Sequence, residues 1–240
     1  MNSILDQLFV AYLVLLSPAW ALWTSLGSKG EPARDDTDPA AKDRRFRKNM
    51  RLVGLPLLVL WALFAWTGRP ATLLGLDIPV SPSGLWGIAT VCVLIAGVIV
   101  GTMIWERRLN ALKTAEYHAK LRKAGILPGS RRELVQFVLL MILMGTGWEL
   151  LYRGYLMLVL PPAFGTQAAV AIAALAYGAG HGYSNWKQFV GSIVAAFLFT
   201  IGYVFTGSLW WLMLLHVSLP LTGMVSAKLS LSSRVAANDP

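Results

Sequence analysis

The stretch that decides the fold is residues 84–105, which read GLWGIATVCVLIAGVIVGTMIW and contain no charged side chain. A helix of about 20 apolar residues is long enough to cross the hydrocarbon core of a bilayer. Across all 240 residues, 56% are hydrophobic and 14% are charged, whereas soluble domains average about 25% charged. The composition therefore predicts an all-α polytopic membrane protein, and it excludes disordered, collagen-like and coiled-coil chains.

The same pattern of long apolar runs recurs along the whole chain and predicts seven membrane spans. One segment, 134–160, is long enough to form two helices, so eight spans are the alternative. The predicted spans are residues 5–26, 51–68, 84–105, 134–160, 165–183, 188–206 and 208–227.

Lys and Arg are concentrated in two of the predicted loops. Residues 28–51 and residues 106–133 each contain eight of them, whereas residues 69–83 contain only Arg69. Because loops rich in Lys and Arg stay in the cytoplasm, the N-terminus is predicted outside and the C-terminus inside. The net charge of +9 is then explained by topology and contact with lipid head groups, and no nucleic-acid partner is predicted.

The predicted organisation has four parts. Residues 1–105 form N-terminal membrane helices, with 28–51 as a basic cytoplasmic loop, and residues 228–240 form a polar tail. Residues 106–133 form a cytoplasmic amphipathic segment, in which His118 is expected to be solvated. Because the start of the chain lacks a cation, the first span is predicted to be retained rather than cleaved. The single cysteine, Cys92, excludes an intrachain disulfide and a multi-cysteine zinc site.

Two charged residues fall deep inside the fourth predicted span. Glu149 and Arg153 are four residues apart, so on a helix they share a face and can pair. A charge at bilayer depth costs several kcal/mol, which makes each one a functional candidate. A structural ion pair that holds helices together is the alternative interpretation.

Two histidines extend this candidate site. His181 and His216 are the histidines of the predicted spans, and Glu149 is taken as the one carboxylate inside the membrane. Two histidines and one glutamate can hold a catalytic zinc ion with an open fourth position for water. The prediction requires three helices to converge. A proton or ion relay and a purely structural polar core remain alternatives.

Three motifs of this region, in this order, resemble those of the CPBP family of intramembrane proteases. This family, also called Abi, contains CAAX prenyl endopeptidases and bacteriocin-processing enzymes. Residues 147–154 (GWELLYRG) resemble its Glu-Glu-x-x-x-Arg motif, 177–181 (YGAGH) its Phe-x-x-x-His motif, and 216–220 (HVSLP) its His-x-x-x-Asn/Asp motif. The resemblance covers roughly residues 125–227.

The resemblance implies a membrane helical bundle with a polar cavity and an endopeptidase that acts on a peptide or a membrane protein near the lipid. Glu149 and His181 would activate water, His216 would complete a zinc site or steady the oxyanion, and Arg153 would orient Glu149. Eukaryotic members remove the last three residues of prenylated proteins. The lead-in 128–133 resembles bacterial members, so the resemblance also implies the inner membrane of a bacterium. The oligomeric state and the substrate are not predicted.

Two positions depart from the family pattern. Trp148 occupies the place of the first glutamate, to which the family assigns activation of the attacking water. Pro220 occupies the place of the Asn or Asp that is thought to help hold the oxyanion, and proline offers no donor. The alternative function is therefore a catalytically impaired relative that acts as a membrane binding, immunity or scaffold protein.

Overall fold

Helices make up the architecture of the computed structural model, which describes residues 3–27, 39–123 and 128–238. No strand occurs in these ranges, so the predicted all-α class is confirmed. Two single turns, Ala71–Leu74 and Pro161–Phe164, interrupt the loops. The helices are α1 (Ile4–Gly27), α2 (Pro39–Thr67), α3 (Pro82–Arg107), α4 (Ala111–Lys123), α5 (Arg131–Val159), α6 (Thr166–Gly180), α7 (Trp186–Thr206) and α8 (Trp210–Asn238).

Each predicted span corresponds to one of these helices. Five of the described helices, α1, α2, α3, α5 and α7, are long and apolar enough to cross a membrane. The two others, α6 and the Trp210–Val225 part of α8, are apolar but shorter. Helix α5 is one continuous helical run over the segment 134–160, so the described residues do not support the alternative of eight spans.

Two helices extend beyond the predicted spans. Helix α2 begins at Pro39 instead of residue 51, and α8 continues to Asn238 through most of the predicted polar tail 228–240. The early part of α2 is rich in Ala, Lys and Arg, which favour helix. Its Asp43 accepts hydrogen bonds from Arg132 and Gln136 of α5, at 2.6 and 2.9 Å. The rest of the predicted loop, 28–38, lies outside the described residues, as do residues 124–127.

The chain divides into two compact units, which are described separately here. The first unit takes its described residues from 1–34, 53–85 and 147–212. The second unit takes them from 35–52, 86–146 and 213–240. Glu149, Arg153 and His181 belong to the first unit, and His216 belongs to the second.

Small side chains allow close helix packing in the first unit. Helix α6 packs against α7 and α1 and buries Ala169, Ala173 and Ala174. At Gly178 the approach is so close that an added Cβ would lie 2.8 Å from the Cα of Ile193. Small residues at helix interfaces are how membrane helices bring their backbones together. The alanine- and glycine-rich sequence of α6 thus explains its central position in this unit.

Two helices of the first unit contain a π-helical segment. The segment in α1 is Tyr12–Leu16 and the segment in α5 is Leu150–Tyr155. The hydroxyl of Tyr152 donates a hydrogen bond of 2.9 Å to the carbonyl oxygen of Leu13. The two wide turns are therefore joined directly. Such π-helical turns frequently mark functional sites.

The second unit contradicts the expectation that His118 is solvated. Its side chain is buried, and its Nε2 lies 3.4 Å from Oε2 of the fully buried Glu106. Asn110 caps α4 by accepting a hydrogen bond from the backbone N–H of Lys113 at 2.9 Å. The chain turns back at this cap, so that α4 packs His118 against the end of α3.

Candidate active site

Glu149 and Arg153 form a fully buried ion pair. The Nη1 of Arg153 donates a hydrogen bond of 2.9 Å to Oε1 of Glu149, and both side chains are 0% exposed. The pairing predicted from their spacing is therefore confirmed. Because both charges are removed from water, they depend on each other and on the polar groups around them.

Two further helices hold the guanidinium of Arg153. From α7, the hydroxyl of Thr200 accepts a hydrogen bond from Nε at 3.3 Å, and the carbonyl oxygen of Ala196 accepts one from Nη2 at 3.5 Å. From α6, the ring of Tyr177 lies beneath the guanidinium, with 3.7 Å between Cζ and the ring centre. A guanidinium above an aromatic face is attracted by the ring quadrupole. Arg153 thus connects α5, α6 and α7.

The π-helical segment of α5 carries this arginine. All of its residues, Leu150–Tyr155, are buried. Gly154 lies so close to the turn before α3 that an added Cβ would be 3.1 Å from the carbonyl oxygen of Leu74. The π-helical turn and the absence of a side chain at Gly154 together allow the charged Arg153 to lie among closely packed helices.

His181 lies at the C-terminal end of α6 and is exposed. Its Nδ1 is 3.0 Å from the carbonyl oxygen of Tyr177. Because a carbonyl oxygen only accepts, Nδ1 carries the proton and Nε2 is the basic nitrogen of the neutral ring. The rings of Tyr177 and His181 meet edge to face, with 4.7 Å between their centres. Tyr177 therefore contacts both Arg153 and His181.

An aromatic ring occupies the place where the family has its first glutamate. Trp148 is half-buried, and its ring centre lies 5.8 Å from that of Tyr152. Tyr152 in turn meets Tyr177 edge to face at 5.3 Å. A row of rings thus runs beside the ion pair from Trp148 to His181.

His216 and Pro220 belong to α8 in the second unit. His216 is half-buried, and Pro220 lies inside the helix. Helix α5 approaches this part of α8 closely at Gly145, where an added Cβ would be 2.9 Å from the backbone nitrogen of Val217. In the first unit, Glu149 thus pairs with Arg153, and Tyr177 links His181 to this pair. His216 belongs to the second unit.

A metal ion would need several His, Cys, Asp or Glu side chains close together as ligands. In residues 3–27, 39–123 and 128–238, no three His, Cys, Asp or Glu side chains are grouped so that they could hold a metal ion. These residues therefore present no set of three ligands that fits zinc.

A second buried ion pair in the first unit was missed by the sequence analysis. Asp6 of α1 is fully buried and accepts hydrogen bonds from Nη1 and Nη2 of Arg69, at 2.8 and 2.7 Å. Tyr155 and Ser3 also donate to its carboxylate, at 2.9 and 3.1 Å. Asp6 lies within a candidate span, so taking Glu149 as the one carboxylate there was wrong. Arg69 could have indicated this pair, because it is the one Lys or Arg of residues 69–83.

Thr200 was also missed, because no motif contains it and a threonine inside an apolar run carries no signal of its own. The role of Tyr177 was partly visible. Its ring matches the aromatic position of the family motif, but its contact with Arg153 depends on how α5 and α6 pack.

Comparison with known protein families identifies one region of the chain. Residues 130–221 match the family model described as type II CAAX prenyl endopeptidase Rce1-like. The match contains all three motifs and confirms the resemblance to CAAX proteases. No curated protein and no solved structure matches the chain.

Proposed function

Because residues 130–221 are Rce1-like, we propose that the chain is an intramembrane peptidase that hydrolyses a peptide bond beside the lipid bilayer. The observation that carries this proposal is the buried pair of Glu149 and Arg153. A carboxylate that a fixed cation holds in one orientation is suited to act as a general base. Its position on the apolar helix α5 also suits a substrate presented from the membrane.

In the proposed reaction, Glu149 takes a proton from water while the water oxygen attacks the carbonyl carbon of the peptide bond. The carbon–nitrogen bond of the tetrahedral intermediate then breaks, and the leaving nitrogen receives that proton. His181, through Nε2, would orient the water, and Arg153 would keep Glu149 in place. His216 would donate to the oxyanion, as the family resemblance implies.

Trp148 provides the reason to consider a second function. Its ring packs against Tyr152 at the place of a family carboxylate, and Pro220 supplies no side-chain donor in α8. A protein with these two changes could retain the fold and bind a membrane partner without cleaving it. Such a binding, immunity or scaffold role is the outcome if no cleavage is found.

The first experiment measures cleavage by purified protein in lipid vesicles. The probes are a farnesylated peptide that ends in a CAAX sequence and the same peptide without its lipid, and the products are identified by mass spectrometry. We expect Glu149→Gln and His181→Ala to abolish cleavage, because each removes a group that acts on the water. The matched control is Glu116→Gln, the same chemical change at an exposed position of α4.

The control must retain wild-type cleavage, and the two site variants must remain folded by thermal denaturation in detergent. Cleavage by Glu149→Gln at the wild-type rate would contradict the proposed mechanism. Absence of cleavage by the wild type would favour the binding role. Metal content of the same preparations tests zinc separately: about one equivalent lost in both His181→Ala and His216→Ala would support a zinc site.

We also propose that the chain lies in a bacterial inner membrane with its N-terminus outside. The positive-inside rule supports this orientation, because the basic residues cluster in 28–51 and 106–133. In a Cys92→Ser background, a membrane-impermeant thiol reagent should label Thr72→Cys in intact cells and should label Lys120→Cys only after lysis. The reverse pattern would overturn the orientation.

A further inference from the structure

Thr200 contacts the proposed site from a helix that contributes none of its motifs. Helix α7 lies between the second motif and the third, and Thr200 is fully buried within it. Its hydroxyl accepts from Nε of Arg153 at 3.3 Å. A buried hydroxyl aimed at a guanidinium is better explained by that guanidinium than by packing, since valine would fill the same volume.

The geometry of Thr200 gives its hydroxyl a fixed direction. The hydroxyl donates its own hydrogen to the carbonyl oxygen of Ala196 at 2.7 Å, so that its lone pairs are left to accept from elsewhere. The same carbonyl oxygen accepts from Nη2 of Arg153 at 3.5 Å. One turn of α7 therefore presents two acceptors side by side to one edge of the guanidinium.

The three nitrogens of Arg153 consequently bond to different groups. Nε and Nη2 are engaged by α7, while Nη1 bonds to Glu149. Since the guanidinium is a planar and rigid fork, fixing two of its nitrogens also fixes the direction of the third. Any group that fixes Nε therefore also sets where the carboxylate of Glu149 is held.

We infer that Thr200 is a positioning residue of the proposed peptidase. By holding Nε of Arg153, it sets the orientation of the carboxylate that takes the proton from water. The inference rests on the proposed function, but the contact itself can be tested independently of it. A general base displaced by a fraction of an ångström loses rate without losing affinity for the substrate.

The test compares Thr200→Val, which removes the acceptor at nearly constant volume, with Thr200→Ser, which keeps it. Thr90→Val is the matched control, because Thr90 also bonds to the carbonyl oxygen four residues earlier, at 2.9 Å, but is exposed on α3. For the farnesylated peptide, we expect Thr200→Val to lower kcat about ten- to a hundredfold with KM unchanged. Thr200→Ser and Thr90→Val should retain the wild-type kcat.

The second readout is the Nε–H signal of Arg153 in protein labelled with ¹⁵N-arginine, assigned by its disappearance in Arg153→Lys. We expect this signal to move in Thr200→Val and to stay at its wild-type position in Thr200→Ser and Thr90→Val. If Thr200→Val does not fold, Thr200→Cys replaces it, because a thiol keeps the volume but accepts weakly.

The two readouts separate the two ways of failing. An unmoved Nε–H signal in Thr200→Val, or a wild-type kcat for that variant, would overturn the role of Thr200. A signal that moves in a protein whose wild type cleaves neither peptide would confirm the contact and overturn the proposed function. A rise in KM at unchanged kcat would also overturn positioning, because that result would assign Thr200 to substrate binding.

Discussion

Among its described residues, the first unit contains two buried ion pairs that are built differently. Arg69 donates both Nη1 and Nη2 to the carboxylate of Asp6, at 2.8 and 2.7 Å. Arg153 donates only Nη1 to Glu149 and directs its other nitrogens to α7. The Asp6 pair joins residues 63 positions apart along the chain, whereas the Glu149 pair lies within one turn of α5.

This difference is the reason to expect a structural role for the Asp6 pair and to keep the proposed chemical role for the Glu149 pair. A bidentate pair with two more donors on its carboxylate locks α1 to the end of α2, and it leaves the carboxylate little freedom to take a proton. In the Glu149 pair, by contrast, α7 holds Nε and Nη2 of Arg153, and Nη1 of Arg153 donates to the carboxylate. The proposed general base therefore belongs to the pair in which one arginine nitrogen, rather than two, donates to the carboxylate.

The largest expected effect comes from breaking the Glu149 pair at one end. Arg153→Met leaves a buried carboxylate without its cation and should lower the free energy of unfolding by about 3–5 kcal/mol. Replacing both partners, as Glu149→Leu with Arg153→Met, should restore most of that stability, because no buried charge remains. Cleavage should be absent from both proteins. Reversible unfolding in mixed detergent micelles measures the stability, and the peptide assay measures the cleavage.

Equal stability of the single and the double variant would contradict a coupled pair. Cleavage of the peptide by the double variant would show that Glu149 takes no part in the reaction. The two ion pairs would then not differ in function.

The next effect in size comes from the Asp6 pair, with the opposite outcome for activity. Arg69→Met should lower the free energy of unfolding by roughly 2–3 kcal/mol. The loss is smaller because Tyr155 and Ser3 still donate to Asp6 and because Arg69 is 18% exposed. The folded fraction should cleave with the wild-type kcat. A kcat that falls as far as that of Arg153→Met would show that the two pairs are not functionally distinct.

The sequence predicted more about the Glu149 pair than about the Asp6 pair, for a physical reason. Two charges four residues apart in an apolar run can be paired from helical periodicity alone. Asp6 and Arg69 lie 63 positions apart and meet only through the tertiary fold, and nothing local in either segment records that contact. The contact of Thr200 with Arg153 also depends on how helices pack, so the sequence did not predict it. The positions of the helices could be predicted, because they depend only on the length of each apolar run.

The structure differs from the predicted loop 28–51 where charged residues form the start of helix α2. Residues 39–50 were predicted as loop because they are basic, yet Lys42 and Asp43 bond across to Glu133 and Arg132 at the start of α5. His118 was expected in solvent for the same reason. In both cases a polar or charged side chain has its partner in another helix, which composition cannot show.

Two tyrosines on the same π-helical segment of α5 differ in the charge of the group to which they donate a hydrogen bond. Tyr155 donates to the carboxylate of Asp6, whereas Tyr152 donates to the carbonyl oxygen of Leu13, both at 2.9 Å. Because bonds to charged groups are stronger, Tyr155→Phe should cost about 1.5–2 kcal/mol of unfolding free energy and Tyr152→Phe about 1 kcal/mol. Unfolding in mixed micelles measures both. Equal losses would show that the charge on Asp6 adds nothing to the bond.

The smallest expected effect concerns Asp77, a carboxylate of the first unit that lies outside the candidate spans. Burial raises its pKa, but hydrogen bonding, chiefly the bond of 2.6 Å that the backbone N–H of Ser81 donates to its carboxylate, outweighs burial. The pKa of Asp77 therefore lies below its usual 3.8.

A carboxyl group that binds its proton more weakly in the folded state stabilises the fold above the unfolded pKa and loses that contribution as the pH falls further. Thermal unfolding in detergent should thus shift to lower temperature between about pH 5 and pH 3 by more in the wild type than in Asp77→Asn. The amide oxygen of the variant can still accept from Ser81, so a difference confined to low pH isolates the charge. Parallel pH curves for the two proteins would mean that Asp77 keeps the same proton affinity in the folded and unfolded chain, and that its hydrogen bonds only balance its burial.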